Sequence, residues 1–292
     1  MNHVKNFFKL LRIKQWIKNL FVLTPLFFAR QFTETDSLLP GIYAFFAFNL
    51  ISSVVYILND IFDIEADRNH PRKKHRPIPS GAIPIHAAII FGAVLFVCSC
   101  ALCLLVNIQF IICLGVYLLI NVVYSMWGKH VVILDVLCIA TGFVLRVIGG
   151  AVAISVQPTN WIMMATFFLS LFLGFGKRRN EFLSLEKEKG NHRKVLNHYD
   201  ENLLNHLIFI SCGIAIISYA MYTLTPLVNF NNGDKLIYTI PVVTFILFRY
   251  VFLIWKKDEG DPTEVIFNDF VLVGAGIFLL LVVIGLMYSP PF

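Results

Sequence analysis

Asn59-Asp60-Ile61-Phe62-Asp63-Ile64-Glu65-Ala66-Asp67 puts four acids and an asparagine at the end of a long apolar run. Ionised carboxylates beside lipid are costly, so such a cluster calls for a purpose. At about 100° per helical residue, Asn59, Asp63 and Asp67 fall on one stripe, with Asp60 roughly 20° beyond Asp67. Hard oxygen donors in that pattern suit Mg²⁺, which takes one or two carboxylates and leaves other positions to water and substrate phosphates. The spacing predicts a magnesium site on Asn59, Asp63 and Asp67, with Asp60, Asp63 and Asp67 as the acids nearest the chemistry. The plainer alternative is a solvated helix end whose acids offset the basic loop that follows.

That loop carries Arg68, Arg72, Lys73, Lys74 and Arg76, punctuated by Pro71, Pro77 and Pro79. A segment of this kind is irregular and is expected to order only against something else. Arginine suits bidentate phosphate contact and lysine acts as a mobile point charge, so Lys73 and Arg76 are candidate phosphate ligands. Lys18, Tyr56 (one turn before Asp60) and Lys177 join the candidate substrate-binding set. Lys129 closes another apolar block, either as an anion anchor or as a lysine snorkelling to the interface. Arg146 sits mid-span in Phe143-Val144-Leu145-Arg146, where an unpaired guanidinium is expensive. Asp135 is eleven residues earlier, on the same helix face but out of reach, so Arg146 must enter a polar cavity or pair across helices. A purely structural buried pair is the alternative.

The elements that position these residues are membrane spans. The 292 residues are 58% hydrophobic and only 14% charged, well below the quarter charged of an average soluble domain. Nine apolar blocks of spanning length are read, near 16–32, 38–60, 84–105, 108–126, 132–153, 159–176, 204–226, 235–255 and 267–288. The fold class is therefore all-α, a nine-helix membrane bundle forming one domain over 1–292, with long loops at 67–83 and 177–203. Segments 1–18, 68–76, 177–194 and 256–257, with Lys129, hold 20 of the 24 lysines and arginines. By the positive-inside rule these face the cytoplasm, giving a multi-pass inner (plasma) membrane protein with a cytoplasmic N-terminus and cytoplasm-facing site. The net charge of +6 is thus concentrated on one face, suiting anionic lipid or substrate; no nucleic-acid partner is expected. Gly149-Gly150 reads as a close-packing site. Cys98, Cys100 and Cys103 read as small packing residues scattered around a helix rather than a metal site. Glu264 and Asp269 read as acids at a helix start, and His70, His75 and His130 as surface residues.

Asn59-Asp60-x-x-Asp63-x-x-x-Asp67 within such a bundle resembles the first aspartate-rich motif of the UbiA-type prenyltransferase superfamily. Gln15-Trp16-Ile17-Lys18-Asn19, Asp67-Arg68-Asn69-His70-Pro71 with Lys73 and Arg76-Pro77, Tyr124-Ser125 through Lys129 to Asp135-Val136, Phe143-Val144-Leu145-Arg146 and Gly176-Lys177-Arg178 with Glu181 resemble its decaprenyl-phosphate (polyprenyl-phosphate) phosphoribosyltransferase branch. The resemblance implies Mg²⁺-dependent transfer of 5-phosphoribosyl from phosphoribosyl pyrophosphate to a polyprenyl phosphate, releasing pyrophosphate, for cell-wall arabinan or a related glycan. Magnesium on Asn59 and Asp63 would stabilise the leaving pyrophosphate, and Asp60 or Asp67 a developing sugar cation. Lys73, Arg76, Lys129 and Arg146 would hold phosphates, and Lys18 the lipid phosphate. Typical aromatic prenyltransferases of the superfamily carry a second aspartate-rich motif where this chain has Lys177-Arg178-Arg179-Asn180-Glu181. Arg179 also replaces an aromatic residue expected in the branch. An aromatic prenyltransferase using a polyprenyl diphosphate and a membrane transporter stand as alternatives, and a homo-oligomer stays open.

Overall fold

The computed structural model describes residues 2–70, 73–187, 198–225, 233–256 and 268–288. Arg72, Glu264 and the stretch 188–197 of the second long loop lie outside the described residues. Eight described helices are long and apolar enough to cross a membrane. They are α3 (Thr35–Phe62), α5 (Ile85–Leu104), α6 (Ile108–Met126), α7 (Leu134–Ala153), α8 (Asn160–Lys187), α9 (Glu201–Thr223), α10 (Ile240–Lys256) and α11 (Phe270–Tyr288). Three shorter α-helices are also described: α1 (Asn2–Leu11), α2 (Thr24–Phe28) and α4 (Ile64–Arg68).

The apolar block expected as the first span is not one α-helix. It runs as a 3₁₀ helix over Ile13–Leu23, continues as α2 with Pro25 in its first turn, and ends in a 3₁₀ turn at Gln31–Thr33. Because 3₁₀ structure rises about 2.0 Å per residue, the stretch from Ile13 to Phe28 still covers about 30 Å, the depth of a hydrocarbon core. The close fit against α7 accounts for its path: a Cβ on Gly150 would stand 1.8 Å from the Val22 carbonyl oxygen. A Cβ on Gly149 would stand 2.6 Å from the Phe48 ring. The double glycine is therefore a packing device, as its sequence context suggests.

The described contacts fall into two compact units, residues 2–158 and the residues from 159 onward. In the first, α3 is the central element, packed by α1, the 3₁₀ stretch, α5, α6 and α7. Its core holds Ala44, Ala47, Phe48, Ile51 and Ile57, all at most 2% exposed. At 28 residues α3 is about 42 Å long, more than an upright span of a roughly 30 Å apolar layer needs, and its C-terminal end carries Asn59 and Asp60. In the second unit, α8 pairs with α9, and α10 packs against both α9 and α11. Cys98 and Cys100 are exposed and Cys103 buried on α5, dispersed as expected.

Candidate active site

Asp63 ends α3, with φ −99° and ψ 11°, and α4 begins at the next residue. The amide-to-carbonyl ladder nevertheless passes through this bend. Asp63 N–H donates to the Asn59 carbonyl at 3.0 Å, and Asp67 N–H to the Asp63 carbonyl at 2.7 Å. Asn59, Asp63 and Asp67 thus remain one turn apart, as the helical spacing requires. Their side chains then divide between different partners.

Asp60 and Asp67 share one guanidinium. Arg76 Nη1 donates to Asp60 Oδ1 at 2.9 Å and to Asp67 Oδ2 at 2.6 Å. Arg12 Nη2 donates to the same Asp60 oxygen, and Lys73 Nζ lies 3.8 Å from Asp67 Oδ1. Asp60 is 2% exposed and Asp67 3%, so each buried charge is compensated by cations. The basic loop thereby orders against the acids, helped by Arg68 Nε donating to the Pro79 carbonyl at 3.2 Å and by burial of Pro77, Ile78 and Pro79. Arg12 sits at the end of α1 with φ 50° and ψ 47°. Left-handed backbone costs a non-glycine residue about 1 kcal/mol or more, here offset by its bond to Asp60 and by stacking 4.9 Å above the Tyr56 ring.

Asp63 differs from its neighbours: its side chain is 24% exposed, and Lys129 Nζ donates to its Oδ1. Lys129 is 7% exposed and so is committed to an acid rather than extended as a free anion anchor. Four cations against three carboxylates leave one positive charge in excess. Among the described residues, no three carboxylate, histidine or cysteine side chains are grouped closely enough to cage a metal alone. The expected oxygen cage of Asn59, Asp63 and Asp67 is thus narrowed, because Arg76 folds back and turns Asp67 towards itself. Asn59 and the partly exposed Asp63 still offer only hard oxygen, which suits an ion that completes its shell with water and substrate phosphate.

Arg146 pairs across helices, with neutral groups. Its Nε donates to Asn19 Oδ1 at 2.6 Å, Nη1 to the Gly142 carbonyl at 2.8 Å and Nη2 to Tyr117 Oη at 2.9 Å. Asn19 in turn donates to Asn49 Oδ1 at 2.7 Å, and Ser52 Oγ lies 3.2 Å from Tyr117 Oη. At 6% exposure, and with no carboxylate bound among the described residues, Arg146 is a fixed buried positive charge.

Lys18 is exposed on the 3₁₀ stretch, and Lys177 is exposed on α8 in the second unit. Arg179, anomalous in the sequence, is a strut of that unit. It reaches Asn205 Oδ1 at 2.8 Å, Glu201 Oε1 at 3.0 Å and the Ile254 carbonyl at 3.1 Å, and it stacks 4.4 Å from Trp255. Asp269 bonds Arg249 at 2.8 Å and caps α11 through the Leu272 amide, also at 2.8 Å. His75 and His130 are exposed, as expected, and His70 is half-buried. Sequence reasoning missed Arg12 and Tyr117. Arg12 hides in an N-terminal basic run that orientation alone explains, and a tyrosine in an apolar span signals nothing by itself.

Comparison with known proteins places the chain as a whole. The chain is 30% identical over 282 residues to the decaprenyl-phosphate phosphoribosyltransferase of Mycolicibacterium smegmatis, covering 93% of this chain and 89% of that protein. The corresponding protein of Corynebacterium glutamicum is 30% identical, with 97% and 87% covered. A UbiA homologue from Archaeoglobus fulgidus, solved bound to GPP and Mg²⁺, shares the fold with a TM-score of 0.72 at 20% identity, over 94% of this chain and 96% of that one. Residues 20–272 match the profile of one family along most of this length, and the chain belongs to the UbiA prenyltransferase family.

Proposed function

We propose that the protein transfers 5-phosphoribosyl from phosphoribosyl pyrophosphate to a polyprenyl phosphate, releasing pyrophosphate. Membrane embedding and transferase chemistry follow from the family; the substrates are our reading, supported by the two phosphoribosyltransferase relatives. The observation that carries it is the cation-rich acid cluster at the end of α3, where one carboxylate, Asp63, stays accessible while two are spent holding arginines. A donor with phosphates at both ends needs several cations in fixed positions, and Arg12, Lys73, Arg76 and Lys129 supply them.

In the proposed reaction the bond from the ribose anomeric carbon to pyrophosphate breaks and a bond to an acceptor phosphate oxygen forms. The acceptor is already an anion, so no proton need be removed and no general base is required. Asp60 and Asp67 fix Arg76, and Asp60 also fixes Arg12, so their positive charge is set before substrate arrives. Asn59 and Asp63 would hold Mg²⁺, which when bound supplies charge neutralisation for the departing pyrophosphate. Lys129 donates to the same Asp63 carboxylate, which sets its ammonium beside the residues that would hold the ion. Arg146 adds a buried positive charge, held by Asn19, Gly142 and Tyr117. The site is proposed to face the cytoplasm of a plasma membrane, where its soluble donor is made, and the product to feed an arabinan or related glycan.

The test is direct. Membranes holding the protein, given radiolabelled phosphoribosyl pyrophosphate, polyprenyl phosphate and Mg²⁺, should yield a labelled lipid, and chelation should stop it. Prenylation of an aromatic acceptor from a polyprenyl diphosphate, with no labelled lipid in the first assay, would replace this reading.

A further inference from the structure

The N-terminal helix has two distinct faces. Leu10 is buried in the core, with Phe7 and Leu11 packed beside it, and Phe7 meets the Phe91 ring edge-on at 5.2 Å. The opposite face carries Lys5, Phe8 and Lys9, all exposed, with Phe8 at 58%. At Arg12 the left-handed backbone turns the chain, so Lys14 and Ile13 come round beside that face. The result is an open groove of about 510 Å³ whose walls include Lys5, Phe8, Lys9, Arg12, Lys14 and Arg76. Two of these lining residues, Arg12 and Arg76, are the arginines that grip Asp60.

Five cations line this groove with no acid among them, beside two exposed apolar side chains, Phe8 and Ile13 (50% exposed). Lys5 and Lys9 stand four residues apart, a like-charge spacing that disfavours the helix unless an anion lies between them. The charge calls for a phosphate near −2 and the apolar residues for a hydrocarbon stem.

We propose that this groove docks the phosphate head of the acceptor lipid, a membrane-borne phosphate monoester, with α1 as its landing face and Arg12 as the link to the acid cluster. This rests on the transfer reading above, because it assigns that reaction's second substrate to a place. It gives the amphipathic N-terminal helix a role in substrate capture as well as in attachment to the bilayer surface.

The experiment uses the full chain in phosphatidylcholine nanodiscs with a polyprenyl phosphate that carries a photoreactive group on its first isoprene unit. Crosslinks should fall within residues 5–14, and neither inorganic phosphate nor excess phosphatidylglycerol should suppress them. The triple variant Lys5→Gln, Lys9→Gln, Lys14→Gln should lose the crosslinks and raise the KM for lipid roughly tenfold or more. Its KM for phosphoribosyl pyrophosphate should not move, and the triple Lys→Arg variant should restore both readouts. A rise in the donor's KM instead, or crosslinks confined to other segments, overturns the proposal. So does displacement by equal phosphatidylglycerol, which would mark a general anionic-lipid surface. Crosslinking to α1 without any labelled product keeps the groove and sinks the transfer reading, whereas transfer with an unchanged lipid KM in the glutamine variant sinks the groove alone.

Discussion

At the scale of single residues the site is governed by which acid keeps an open face. Asp60 and Asp67 are buried and bound to Arg76, so their first role is to hold cations in place. Among the described residues, replacing Arg76 by Met leaves Asp67 with Lys73 at 3.8 Å and removes one of the two arginines on Asp60. Losing one partner of a fully buried pair costs about 3–5 kcal/mol, which the 28% exposure of Arg76 reduces to about 2–3 kcal/mol. Adding Asp67→Asn should recover part of that loss, and thermal unfolding of the two single variants and the double variant in mild detergent measures the coupling. Additive losses would mean that the pair contributes nothing of its own. The acid cluster was legible from the sequence because helical spacing is reliable over two turns. Its division between Arg76 and Lys129 was not, because that depends on where a proline-rich loop folds back. Arg12 escaped notice for a related reason: one basic residue among five before residue 19 carries no mark of what it will touch.

At the scale of elements, packing between the irregular first segment and α7 holds Asn19 where Arg146 can reach it. Gly150→Ala places a methyl 1.8 Å from the Val22 carbonyl, with backbone on both sides of the clash, so the segment must move. The cost should reach the upper range for overpacking, about 3 kcal/mol or more. Gly213→Ala meets nothing within 4 Å and should be neutral or slightly stabilising. Comparing their unfolding midpoints checks both statements; equal midpoints would contradict the proposed close approach. Eight of the nine expected spans appear as helices; seven end within about five residues of the apolar blocks, and α8 runs on past the expected end at 176 to Lys187. The first departs because its backbone yields to the crowding at Gly150, a tertiary effect invisible to hydropathy. The sequence did mark the glycine pair as a close-packing position, without saying what approaches it.

For the whole molecule, we propose that the lysine and arginine distribution orients the chain, with its basic loops in the cytoplasm. Single cysteines in a cysteine-free background at Lys74 and at Glu34 should be labelled by an impermeant reagent from opposite sides, Lys74 only after the membrane is opened. Labelling of both from outside would overturn the orientation and move the site away from a cytoplasmic donor. Family membership, read from motifs spread over the chain, was the most legible property, because such motifs constrain one another across many spans. The substrates are the part that rests on chemistry at one helix end.

The most direct measurement follows both halves of the donor in one reaction. Purified protein in vesicles containing polyprenyl phosphate receives phosphoribosyl pyrophosphate labelled with one isotope in the ribose and another in the terminal phosphate. The account predicts ribose label in the lipid and terminal-phosphate label in soluble pyrophosphate, in equal amounts, both falling about 100-fold or more in Asp63→Asn while the protein stays folded. Terminal-phosphate label in the lipid, or unchanged turnover in Asp63→Asn, would contradict it.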